Sequence, residues 1–286
     1  MKKIILPDEL TYLAVFLSFR CSFACSYCIN RHDILKPRKE LIPEDWIKGL
    51  NRLVLKREIM TPITFQGGEP GRYKGFIRII KNLNPDFYLD ILTNLDFDIG
   101  QFMQEIPPER LQRDVPYASI RVSYHPEFSD LDTLLKKIVK MQNINFSIGL
   151  FAVTHPETDI ELVRNRAKEM GVDFRTKEFL GKHKGKLYGQ YRYPEAVKGK
   201  DLRKVQCQTT ELLIAPDGSI HKCHRDLYCG EFPIGNILDD DLSVSFPFRD
   251  CDKYGECNPC DIKAKNNRFQ EYGYCSVKIK MNNNDG

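Results

Sequence analysis

Between Thr11 and about Phe179, short apolar runs alternate with stretches of helical periodicity, and nothing else in the chain constrains its fold as strongly. Such alternation is the pattern of βα units around a parallel sheet. The runs Tyr12–Phe19, Ile63–Gln66, Phe87–Thr93, Ser119–Tyr124, Phe146–Val153 and Val172–Phe179 read as strands. Six units are too few for a closed eight-stranded barrel, so the expected fold is α/β, a partial (β/α)6 TIM-like barrel. The helices between them carry start signals and apolar stripes. Pro43 opens one whose buried face is Trp46, Ile47, Leu50, Leu53 and Val54. Ser129 caps a second, with Leu131, Leu134, Leu135, Ile138 and Val139 facing the core. Thr158 with Glu161 forms a capping box for a third, which Gly171 ends.

After Gly181 the pattern changes. Lys182–Lys200 is rich in Lys, Gly and Tyr and has no regular period, so 182–200 reads as a linker or substrate-facing loop between a barrel over 1–181 and a small module over 201–280. Within that module Glu211–Ala215 and Ser219–Cys223 flank Pro216-Asp217-Gly218, a hairpin signal. Residues 281–286 read as a disordered tail.

The module is also where most of the cysteines fall. Three of the ten lie between 21 and 28, none between 29 and 206, and seven between 207 and 275. Close spacing in a chain of 286 residues favours metal or redox chemistry over a disulfide framework. Pro7, Asp8 and Glu9 interrupt the apolar start before it reaches signal-peptide length, and Thr11–Phe19 is too short to span a bilayer, so the expected location is cytoplasmic, without a membrane partner. The formal charge of +4 is spread along the chain, and no basic stripe calls for nucleic acid.

Cys21, Cys25 and Cys28, at spacing Cys-x3-Cys-x2-Cys, sit on the loop after the first strand. In barrel-like folds, sites lie at the C-terminal ends of strands. A cubane cluster usually takes four thiolates, so three on one short loop leave one iron open. A structural zinc site closes its fourth position.

This spacing resembles the hallmark of the radical S-adenosylmethionine (SAM) superfamily, and the similarity continues along the barrel. Gly67-Gly68-Glu69-Pro70, after the second strand, is similar to the family's Gly-Gly-Glu-Pro motif, whose backbone binds the methionine amino group of the cosubstrate. Tyr27 matches an aromatic whose main chain contacts the adenine, and Thr93, Asn94 and Ser123 resemble positions lining the ribose and methionine pocket. The fourth-strand sequence Val122-Ser123-Tyr124-His125-Pro126 departs from the commoner Ser-x-Asp. His125 stands beside the expected pocket; the other five histidines read as structural or exposed. Arg175 and Glu178 read as a surface ion pair or a substrate grip.

Cys207, ten residues, Gly218, four residues, Cys223 resembles the opening of the SPASM and twitch modules, which hold auxiliary [4Fe-4S] clusters. Cys251-x5-Cys257-x2-Cys260 and Cys275 follow, departing from the full SPASM pattern. Two ligand sets stay open. In the twitch reading Cys207, Cys223, Cys257 and Cys260 hold one cluster. In the SPASM-like reading Cys207, Cys223 and Cys260, completed by Asp201, hold one, and Cys229, Cys251, Cys257 and Cys275 another.

The resemblance implies a radical SAM oxidoreductase or synthase: a [4Fe-4S] cluster on Cys21, Cys25 and Cys28, one or two auxiliary clusters, and S-adenosylmethionine cleaved to a 5′-deoxyadenosyl radical. It also implies an electron donor such as flavodoxin or ferredoxin, and oxidation of a small molecule (a sugar, nucleotide or amino-acid derivative). A peptide maturase is the alternative within the class. A zinc-binding regulatory or nucleic-acid-binding module is the alternative outside it.

Overall fold

The strands are largely apolar, and successive side chains along each face opposite sides of one sheet. In the computed structural model, which describes residues 2–30, 35–55, 61–199, 202–265 and 273–281, eight strands make up that sheet. They are β1 (Tyr12–Phe16), β2 (Ile63–Gln66), β3 (Leu89–Thr93), β4 (Ile120–Tyr124), β5 (Ile148–Val153), β6 (Phe174–Lys177), β7 (Glu211–Ile214) and β8 (Ile220–His221). The spatial order is β8-β7-β1-β2-β3-β4-β5-β6. All neighbours are parallel except β7 and β8, which form the hairpin expected around Pro216–Gly218, with Gly218 at φ +80°. The architecture is thus the α/β partial barrel read from the sequence.

One correction concerns β7. The sequence reading assigns it to the separate module, yet it lies beside β1 in parallel register, Glu211 opposite Tyr12 and Leu213 opposite Ala14. An apolar strand that would otherwise expose its edge is thereby paired on both sides.

Leu13, Val15, Ile63, Phe65, Ile91, Val122, Leu212 and Ile214 face the helices and form the main core with them. Those helices are α1 (Pro43–Leu50), α2 (Phe76–Asn82), α3 (Ile99–Glu105), α4 (Leu131–Gln142) and α5 (Ile160–Glu169), contributing Trp46, Ile79, Phe102, Leu135 and Val163 among others. Each such side chain contributes roughly 1.5–3 kcal/mol on burial. The expected caps are shifted by one residue. Asp130 rather than Ser129 caps α4, accepting from Thr133 N (2.9 Å), and Asp159 rather than Thr158 caps α5, accepting from Leu162 N (3.0 Å). Leu53 and Val54 are not on α1 but form a short strand pairing with Ile4–Ile5.

Residues 182–200 are more regular than the sequence suggested. Gly181–His183 and Lys186–Tyr188 form a hairpin, and Pro194–Val197 a 3-10 turn. Beyond β8 come α6 (His224–Cys229) and α7 (Pro259–Ile262). A three-stranded antiparallel sheet of Arg249–Tyr254, Arg203–Thr209 and Val277–Met281 completes the C-terminal part. Met281, expected in the tail, is therefore in a strand; 282–286 and Asp201 lie outside the described residues.

Candidate active site

The loop carrying Cys21, Cys25 and Cys28 leaves the C-terminal end of β1 and is fastened on three sides. Gly68 N donates to Ser18 O (3.2 Å) and Glu69 N to Arg20 O (2.8 Å), joining it to the loop after β2. Ser26 N and Oγ donate to the Glu127 carboxylate (3.1 and 2.7 Å), joining it to the loop after β4. From the C-terminal side Tyr228 Oη donates to Asn30 Oδ1 (2.8 Å) and Asn258 Nδ2 to Ile29 O (3.1 Å). The paired glycines permit a close main-chain approach, as expected, but here the approach is to the cysteine loop: a Cβ on Gly68 would lie 2.0 Å from Arg20 O.

Burial raises the thiol pKa of all three cysteines, Cys25 to about 12 with the added repulsion of Cys28, Glu127 and Cys21. Three sulfurs that feel one another on one short loop suit a multinuclear iron–sulfur group, whose positive irons favour the thiolate form.

Glu69, 1% exposed, accepts from Gly71 N (3.0 Å), Thr93 Oγ1 (2.7 Å) and Asn94 N (2.7 Å). Burial nevertheless pushes its carboxyl up to about 7. The structure thus brings Gly67, Gly68, Glu69, Pro70, Thr93 and Asn94 together at the ends of β2 and β3, with the carboxylate spent on shaping the turn. Ser123 lies further round, near the end of β4. Tyr27 stacks on His155 (ring centroids 5.1 Å apart), and its hydroxyl lies 3.1 Å from His125 Nδ1. Burial and Lys177 lower the His125 pKa to about 4, so its imidazole is neutral near pH 7. Arg175 pairs with Asp173 (3.0 Å) and not with Glu178, the residue read beside it in the sequence.

The C-terminal cysteines divide by neighbourhood. Cys207 and Cys251 lie on adjacent strands; burial and the neighbouring Cys251 raise the Cys207 pKa to about 12, and burial, Asp261, Cys207 and Cys251 together raise that of Cys257. Arg249 links Cys223 to them, its Nη2 lying 3.5 Å from Cys223 Sγ while its charge favours the thiolates of both Cys223 and Cys207. Cys260 and Cys275 sit near Glu211 and Lys265, and Cys275 Sγ is 3.5 Å from Asp261 O. Cys229, at the end of α6, has Arg225, Glu231 and Lys36 for neighbours. Both ligand sets drawn from the sequence separate Cys207 from Cys251, whereas the chain folds them side by side.

The sequence reading missed a buried polar group on the inner face of the sheet. Asp90 is bound by Arg113 (3.4 Å) and by Arg121; Glu211 is bound by Lys265 and Ser276; the His224 Nδ1 and Asp261 Oδ1 atoms are 2.6 Å apart. Glu211, His224 and Asp261 place ligand atoms within 4.8 Å of one another. The signal was a single charged residue set between apolar ones in a strand, as in Leu89-Asp90-Ile91 and Ile120-Arg121-Val122.

No family model matches the chain. Over 74 residues it is 31% identical to GTP 3′,8-cyclase of Agrobacterium fabrum and, to the same extent, to that of Brucella ovis. The match covers 26% of this chain and 21% of each relative, so the chain spans about a fifth of the length of the curated relatives it matches. A crystal structure of BtrN in complex with AdoMet and 2-DOIA aligns with TM-score 0.47 at 14% identity, covering 83% of this chain and 80% of that one. BtrN in an open conformation aligns at TM-score 0.40 and 13% identity, over 90% and 96%.

A parallel α/β partial barrel with a three-cysteine loop at the strand C-termini, packed on a Gly-Gly-Glu-Pro turn, is the arrangement that the resemblance to radical SAM proteins implies. Over those 74 residues the chain is similar to GTP 3′,8-cyclase, and its C-terminal region is rich in cysteines. Among the described residues no helix is long and apolar enough to cross a membrane.

Proposed function

We propose that the protein reductively cleaves S-adenosylmethionine and uses the resulting radical to take a hydrogen atom from a small polar substrate, leaving that substrate oxidised. The observation that carries the proposal is the cysteine loop fastened to the Gly67–Pro70 turn at the C-terminal ends of parallel strands, with Thr93 and Asn94 in the same hydrogen-bonded set.

In this reading Cys21, Cys25 and Cys28 hold a [4Fe-4S] cluster, which when bound supplies an electron, drawn from a flavodoxin- or ferredoxin-like donor, to the carbon–sulfur bond of the cosubstrate. The chain's own residues bind and orient. Gly67–Pro70 presents main chain to the methionine end, and Glu69 fixes that turn. The Tyr27 backbone and Ser123 take the nucleoside end, and Phe23 of the cysteine loop stacks on Phe128 of the loop after β4 (centroids 5.2 Å apart), steadying the loop. Cys207, Cys223, Cys251 and Cys257 are the set best gathered to hold an auxiliary cluster, whose role is to accept the second electron of the oxidation. The mixed charges of the inner sheet face suit a polar small molecule.

The test is anaerobic purification followed by dithionite and S-adenosylmethionine. Iron well above four atoms per chain and 5′-deoxyadenosine formation are expected, with the latter abolished in Cys25→Ala. Stoichiometric zinc in place of iron, or nucleoside formation undiminished by Cys25→Ala, would refute the reading.

A further inference from the structure

Lys177 ends β6 on the inner face of the sheet, opposite Val153 of β5, and is partly buried there. Among the described residues its ammonium forms no hydrogen bond and no ion pair; its contact is the face of the Phe151 ring, 5.4 Å from the centroid. An ammonium partly withdrawn from water without gaining a protein acceptor still reaches solvent, and its charge is one that an anionic ligand can complete.

The surroundings say what that ligand is. The charged groups that act on Lys177 are Arg121, Lys263, Asp90 and, in its thiolate form, Cys260. Asp90, the carboxylate among them, is already shared between Arg113 and Arg121. The next carboxylate on this face, Glu211, is taken by Lys265. Among the described residues, one arginine charge and the charges of Lys177 and Lys263 are therefore left without a counter-ion. They come from β4, β6 and the segment after α7, so the fold gathers them from three distant parts of the chain. Lys177 also acts on His125, which touches Tyr27 of the cysteine loop, while Cys260 belongs to the C-terminal region. The ammonium is thus within electrostatic reach of both cysteine-bearing parts.

We propose that Lys177, flanked by Arg121 and Lys263, binds an anionic group of the substrate, a phosphate ester or a carboxylate, inside the barrel. This deepens the proposed function and rests on it only for the word substrate; the anion site is defined by the charges themselves. Burial and the neighbouring cations push the Lys177 pKa down to about 7, and an arriving anion reverses that shift, so binding above pH 7 takes up a proton. A lysine acts here as a compact charge; an arginine keeps that charge and adds a planar fork of donors.

The experiment is isothermal titration of inorganic phosphate, and separately of malonate, into the anaerobically purified, iron-loaded protein and its variants. Saturable binding is expected in the wild type, weakened at least tenfold by Lys177→Gln and held within about threefold by Lys177→Arg. Tighter phosphate than malonate assigns a phosphate ester; the reverse assigns a carboxylate. At pH 8 the heat of wild-type binding should vary with the ionisation enthalpy of the buffer, as proton uptake requires. Absence of saturable binding of both anions to the wild type overturns the proposal. So does unchanged binding in Lys177→Gln, or loss of iron in that variant, which would assign the lysine to the charge balance of the C-terminal cysteines. The functional reading is tested separately by cosubstrate cleavage in the wild type, so either can fail while the other stands.

Discussion

His221 is held neutral by its immediate neighbours. Its Nδ1 lies 2.9 Å from Glu231 O, which only accepts, and its Nε2 lies 3.2 Å from Arg38 Nη1, which only donates, so the proton belongs on Nδ1. Burial, with the Arg38 charge adding to it, lowers its pKa to about 4. An unfolded histidine titrates near 6.5. As pH falls from about 6.5 to 4 the unfolded chain takes up this proton and the folded chain does not, so stability is complete above 6.5 and declines through that window. Urea unfolding at pH 7.5, 6 and 5 should show the decline, and His221→Gln, which keeps a donor and an acceptor, should flatten it. An equally steep decline in the variant would show that other groups govern it. Gly68 makes a different kind of demand. A methyl group there meets Arg20 O at 2.0 Å and Phe19 O at 2.5 Å, whereas one on Gly171, at φ +67°, meets nothing within 4 Å. Gly68→Ala should therefore cost about 1–3 kcal/mol by displacing the cysteine loop, and lower iron content with it. Gly171→Ala should cost about 1 kcal/mol, leaving iron intact. Thermal unfolding and iron analysis of the two variants check this; a Gly68→Ala protein as stable as the wild type would mean the two loops can part freely.

Among the elements, those whose pattern is local were readable in advance. The six strands from Tyr12 to Lys177 fall inside the runs marked by apolar residues, because each is bounded by turn residues and buried against helices. The three-cysteine loop and the Gly67–Pro70 turn were legible for the same reason, their spacing being set within a few residues. The caps at Asp130 and Asp159 were missed by one position because Ser129 and Thr158 offer equivalent oxygen acceptors next door, and only the exact chain direction decides between them. The place of β7 was not legible at all, since a strand 195 residues from its partner β1 gives no local sign of which sheet it joins. A consequence follows for the chain cut after residue 181. It would lack β7 and strip cover from Tyr12, Ala14 and Phe16, which pack with Leu213, Leu227 and Tyr228. That fragment should aggregate or bind a hydrophobic dye, and fail to unfold cooperatively. A sharp, reversible melting transition from the isolated fragment would refute the dependence.

At the scale of the whole molecule, the seven C-terminal cysteines are scattered over 69 positions from Cys207 to Cys275, and only the fold sorts them. Cys207 and Cys251 come from adjacent antiparallel strands and Cys257 from the approach to α7, while Arg249 draws in Cys223 from the start of α6. Cys207 and Cys223, both acted on by the Arg249 guanidinium, with Cys251 and Cys257 near Cys207, fit a site whose ligands carry net negative charge, because the cation offsets the cost of keeping thiolates buried. Cys229 points elsewhere, toward Arg225, Glu231 and Lys36. The expected outcome is therefore a partition that spacing alone did not offer. Cys251→Ala should lower iron by roughly the content of one cluster, and Cys207→Ala should do the same without a further loss when the two are combined, since both changes empty one site. Cys229→Ser should keep full iron. Circular dichroism on each sample separates loss of a cluster from collapse of the surrounding sheet, metal binding and folding being linked. If Cys229→Ser loses as much iron as Cys251→Ala, or if the losses from Cys207→Ala and Cys251→Ala add, then these cysteines serve two clusters that divide the set differently, and the gathering around Arg249 is not one site.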